Sequence, residues 1–138
     1  MSTLNVTNAQ ITTLKDASGG NSSIPADVFE GRAKAWIHLN GVTPAIVDNF
    51  NADSITDNAA ADHTVNFTSA LDNANYVIVT GQGTLADGNG HSHVTLNRIN
   101  ANGNHVAPTT SAFRLTSSDS GGTTTESKFI YAAVFCGA

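Results

Sequence analysis

The chain has little charge. Of its 138 residues only 12% are Asp, Glu, Lys or Arg, about half the usual share. Its basic residues, Lys15, Arg32, Lys34, Arg98, Arg114 and Lys128, are scattered and form no run. With a net charge of −5, this argues against a nucleic-acid binder, because neutralising phosphates takes clustered Lys and Arg. One cysteine, Cys136, excludes an internal disulfide. In "YAAVFCGA" it reads as a small core residue. No apolar run reaches the length of a membrane-spanning helix. The start, "MSTLNVTNAQ", lacks the basic and apolar regions of a signal peptide, so the expectation is a soluble chain not secreted by that route. Catalytic signatures are missing as well. There is no G-x-S-x-G elbow, no phosphate loop and no zinc spacing of cysteines.

What is present is Asn, Thr, Ser and Gly, residues that suit turns and exposed strand faces and resist long helices. The length fits one domain with a real core. In "AKAWIHLN", Ala33, Ala35, Ile37 and Leu39 share one face and Lys34, Trp36, His38 and Asn40 the other, the period of a half-buried strand. Asn40-Gly41 supplies a turn and "AIVDNF" a returning strand. "SIT" and "HTVNFT" flank "DNAAAD" as a hairpin, with Val65 and Phe67 inward. "NYVIVTG" is apolar on both faces, which predicts a strand that is central or covered on both sides. "HVTLNRI" changes phase near Asn97, as a bulge would require. "SAFRLTSS" alternates Phe113 and Leu115 with Arg114 and Thr116, and "KFIYAAVFC" is the most apolar strand. Short strands at regular spacing predict an all-β, antiparallel β-sandwich, a jelly-roll-like knob, over residues 32–138.

Residues 1–31 read differently. Scattered Leu4, Val6, Ile11 and Leu14 are followed by a flexible "SGGNSS". This is either a short extended N-terminal arm and linker for attachment or trimerisation, or a first strand pairing with its own sandwich. "PADVFEG" can form one helical turn with Pro25 at its start.

The aspartates sit in "VDNFNADS", "TDNAAADH", "LDNAN", "ADGNG" and "SSDSGG", where Asp beside Asn or Gly closes a turn. No carboxylate pair is marked for catalysis, and no residue is assigned a catalytic role. In "DGNGHSHVTL", His91 and His93 face the same side of a strand. Two imidazoles are too few for a closed metal site; three chains on a threefold axis would supply six. The plainer reading is a loop containing histidines, so no metal and no cofactor is expected. "DGNG" followed by His-Ser-His fails the calcium-loop pattern. His38 and His63 read as ordinary exposed-face residues, and His105 has no visible partner. Trp36 either packs within the chain or against another subunit, or stacks on a sugar.

"GRAKAWIHLNG", followed by "IVDNFNADSITDNAAADHTVNFTSALDNANYVIVTG", closely resembles a module of tailed-bacteriophage fibre and structural proteins. That module runs as an R-A-x-A-W strand, an N-G turn, a segment ending S-I-T-D-N, a D-Y-T-V-N-F strand and an N-Y strand. His63 stands here where the module has tyrosine. "SAFRLTSSDSGG" and the final strand fit as well, and the opening segment is similar to the one preceding the module. The resemblance implies a virion component assembled in the host cytoplasm. It would be a short tail fibre or its receptor-binding knob, a homotrimer mediating host-surface adhesion. Its partners would be its own copies, other virion proteins through the N-terminal arm, and a host surface glycan or protein, with no membrane insertion. The family brings no catalytic motif, so the chain is expected to be non-enzymatic. The long polar loops 81–93, 100–111 and 117–127 are the expected host-contact regions. A capsid decoration or tail-assembly protein is the alternative. A polysaccharide depolymerase is a weaker one, since such enzymes need a longer, repeat-built domain.

Overall fold

The computed structural model describes residues 13–15, 22–23, 31–83, 92–96 and 106–137. The chain forms two units, Met1–Arg32 and Ala33–Ala138. In the first, β1 (Leu14–Lys15) pairs antiparallel with β2 (Ser22–Ser23). The expected helical turn at "PADVFEG" lies outside the described residues.

Among the described residues the second unit holds eight strands: β3 (Ala35–Asn40), β4 (Ala45–Phe50), β5 (Ser54–Ala59), β6 (Asp62–Asn66), β7 (Val77–Gln82), β8 (Ser92–Leu96), β9 (Ala112–Asp119) and β10 (Ile130–Phe135). They form two four-stranded sheets, β4-β3-β10-β7 and β5-β6-β9-β8, and every pairing is antiparallel. We call these the Trp36 sheet and the His63 sheet. The described residues contain no helix. An all-β sandwich is what the neutral, alternating sequence predicts.

The core is the set of inward residues of both sheets. Ala35, Ile37 and Leu39 of β3 alternate with exposed Trp36, as period two requires. They meet Val65 of β6 and Phe67 just after it, Phe113 and Leu115 of β9, and Ile130, Ala132 and Val134 of β10. Cys136 is buried in the same cluster. Each fully buried Leu, Ile or Val contributes roughly 2 kcal/mol.

The turns explain the punctuation. Asn40 Oδ1 accepts hydrogen bonds from the amides of Val42 (3.0 Å) and Thr43 (3.2 Å), an Asx-turn. Gly41 follows because of space: a Cβ there would lie 2.7 Å from the Ser127 carbonyl oxygen and 2.9 Å from Ile130 Cδ1. Between β5 and β6 the chain reverses at Ala61, which is buried with φ of 61°. Its carbonyl accepts the Ser117 amide at 2.9 Å.

One expectation about strand placement is overturned. "NYVIVTG" was predicted central or covered on both faces, but β7 is an edge strand of the Trp36 sheet, with Val77 65% and Val79 57% exposed. Its inward residue Ile78 packs on the core and its outward valines do not. The apolar pattern correctly reported two apolar faces; among the described residues of this unit nothing covers the second. The bulge expected near Asn97 lies outside the described residues. Register shifts occur instead between His38 and Leu39 against β4, and between Asp57 and Ala59 against β6.

Candidate functional site

The two sheets present opposite kinds of outer face. On the His63 sheet that face is polar and internally bonded. Asn66 Nδ2 donates to Thr56 Oγ1 at 3.3 Å, and Asn58 Nδ2 to Thr64 Oγ1 at 2.9 Å. Arg114 on β9 grips Asp62 on β6 with two nitrogens, Nε at 2.6 Å from Oδ1 and the other on Oδ2. That hydrogen-bonded carboxylate raises the guanidinium's affinity for its proton further. Sequence reading placed Asp62 among turn-closing aspartates; its charge is instead held by a neighbouring strand.

The outer face of the Trp36 sheet is apolar. Strand register aligns it in rows: Phe50, Trp36, Ala133 and Val79 form one, and Asp48, His38, Tyr131 and Gly81 the next. Phe135 and Val77 continue the set on β10 and β7. The exposed large apolar residues among those described are Trp36, Val42, Val47, Phe50, Val77, Val79, Phe129 and Tyr131. All of them belong to this sheet or the segments adjoining its strands, and none to the other.

Aromatic packing stiffens the face. The His38 ring stacks on Tyr131 with centroids 4.5 Å apart, and Phe129 lies 6.0 Å away, tilted by 47°. The second glycine of "TGQG" makes room. Gly81 lies across from Tyr131, and a Cβ on Gly83 would approach the Phe129 ring to 2.8 Å. Aromatics lying over strand glycines restore packing that the glycines lack. An open groove of about 540 Å³ runs along the face, lined by Trp36, His38, Asp48, Val79, Thr80 and Tyr131, among others. Polar groups on its lining residues are the Asp48 carboxylate, the Trp36 indole N–H, the Tyr131 hydroxyl and His38, whose Nε2 is buried without a hydrogen bond.

His63 is not on an exposed face. It is fully buried, and neither ring nitrogen makes a hydrogen bond. The Asp57 carboxylate stands 3.7 Å from Nδ1. Burial pushes the imidazole below its ordinary value of 6.5, against the opposing pull of Asp57, Asp62 and Glu126 and of the nearby Gly41 backbone. The signal was available in the sequence, since His63, Val65 and Phe67 share one strand face. His38 is half-buried rather than exposed.

The remaining expected sites fall as follows. His93 is exposed on β8, while His91 and His105 lie outside the described residues. Among the described residues no three His, Cys, Asp or Glu side chains converge as a metal site would require. Asp119 Oδ1 accepts the amides of Gly121 (2.9 Å) and Thr123 (2.8 Å), so loop 117–127 closes as the turn its "SSDSGG" predicts. Much of loops 81–93 and 100–111 lies outside the described residues.

Comparison with protein-family models, with curated proteins and with solved structures found no match.

Proposed function

We propose that this chain is a non-enzymatic structural component of a bacteriophage particle, a short tail fibre or its receptor-binding knob, working as a homotrimer. One observation carries the reading: the two outer faces of the sandwich differ completely. One is dressed for water by bonded Asn, Thr, Asp and Arg, while the other exposes Trp36, Phe50, Val77, Val79 and Tyr131. A large one-sided apolar surface marks a contact surface.

The residues of the phage-like stretch are used as scaffold. Ala35, Ile37, Val65 and Phe67 fill the core, Asn40 and Gly41 shape a turn, and the Tyr76 hydroxyl reaches the carbonyls of Thr109 (2.9 Å) and Ala112 (3.0 Å). A fibre needs such a rigid body, and it gains avidity by presenting several copies together.

Gold-labelled antibody against the chain, applied to intact particles, tests this. Label at the tail supports a fibre or knob. Label on the head favours the capsid-decoration alternative. A chain absent from purified particles ends the virion reading.

A further inference from the structure

We propose that the outer face of the Trp36 sheet, built from Trp36, Phe50, Val77, Val79, Phe129 and Tyr131, is an interface with a second copy of this chain. This deepens the assembly half of the reading above and rests on that half alone; where the particle carries the protein does not enter.

Area is the first reason. The six side chains are between 38% and 65% exposed. On groups of this size that is on the order of 600 Å² of apolar surface, the upper end of the largest patch on a typical monomer. A standard interface takes about 800 Å² from each partner, which the alanines, glycines and strand edge around the patch can complete.

Charge is the second. Two identical chains of net charge −5 repel unless they meet where charge is scarce. On this face the charges are Asp48, in the row of His38, Lys34, two residues before Trp36, and Lys128, whose Nζ lies 5.8 Å from the Phe129 ring centroid. They include both signs, so two copies can set opposite charges against each other.

The third reason is the edge. Strand β7, "VIVTGQ", bounds the sheet with no charge, no proline and two exposed valines. Sheet edges left open to water normally carry such guards against pairing. An edge without them, continuous with an apolar face, is suited to a constant neighbour.

The test uses the full chain with a photo-crosslinking side chain at Val79, together with sedimentation of Val79→Lys, Tyr131→Ser and the control Thr95→Lys. Thr95 is exposed on the opposite sheet, and its lysine changes the net charge equally. Crosslinks are expected to join Val79 to the same face of another copy. Val79→Lys and Tyr131→Ser should each weaken assembly at least about tenfold, with unchanged circular dichroism, while Thr95→Lys leaves it intact. Crosslinks to residues 1–31 of the same chain would overturn the proposal. So would dissociation by Thr95→Lys alone, assembly indifferent to both face variants, or a monomer that binds glycans and loses them on Trp36→Ala. A phage particle lacking the chain would leave these results untouched, so the two readings fail separately.

Discussion

His38 and Tyr131 are cross-strand partners whose rings stack 4.5 Å apart, with planes 27° from parallel. The pair sits on the water-facing side of a central strand pairing. Directly opposite positions on two strands bring side chains close enough to interact, and here the result is a rigid aromatic ridge beside the Trp36 row. Stiff, preorganised side chains lose little entropy when a partner covers them. The face is thus fixed in shape before any contact is made.

Acid should destabilise the sandwich through His63. Burial lowers its native pKa below the 6.5 of the free side chain. The native state therefore binds fewer protons than the unfolded chain in the window just below 6.5. Stability is fully present above that value and falls as pH drops through it toward the depressed native pKa. Urea denaturation at pH 7.5 and 5.0 should show the loss. His63→Phe, which needs no hydrogen bonds, should stay within about 1.5 kcal/mol at pH 7.5 and flatten this part of the pH dependence. An unchanged slope in the variant would assign the acid sensitivity to other groups.

Breaking the Asp62–Arg114 pair should be costly. Its side chains are only 10% and 15% exposed, and Asp62→Asn would leave a guanidinium there without its counter-charge. The expected loss is about 2–4 kcal/mol. Arg114→Lys should fare little better, since a lysine cannot match two carboxylate oxygens at once. Replacing both partners, as Asp62→Leu with Arg114→Met, should recover much of the loss. Single variants within about 0.5 kcal/mol of the parent would place the pair among inconsequential surface contacts.

Asn51 ties three segments together. Its Nδ2 donates to the carbonyls of Lys34 (3.1 Å) and Ser69 (3.2 Å), its Oδ1 accepts the Ser69 amide at 2.7 Å, and its φ is 52°. Asn51→Ala removes those bonds and forces a Cβ residue without them into left-handed backbone, a loss of about 2–4 kcal/mol. Asn51→Gly keeps the backbone at ease and should lose about 1 kcal/mol less. Equal melting of the two variants would show that backbone strain plays no part.

Much of the sandwich was legible because it depends on local signals. The alternation of Ala35, Ile37 and Leu39 with Trp36, the Asn40-Gly41 turn and the hairpin of Ile55 and Val65 all lie within short windows. Three features were not. The edge position of β7 depends on which strands lie beside β10, and that is decided across the whole chain. The Asp62–Arg114 pair spans 52 residues and exists only once β6 and β9 align. His63 was misjudged because residue type outweighed phase: its position shares the inward face of Val65. The apolar outer face was half visible, in strands that are apolar on both sides, but its gathering on one sheet needed the strand order.

Sedimentation velocity of the unmodified full chain, over a dilution series from tens of micromolar downward, is the most direct measurement. Copies joined through the Trp36 face predict a species of several times 14.2 kDa, three for a trimer, that dissociates only on strong dilution. A single 14.2 kDa species at every concentration would contradict it.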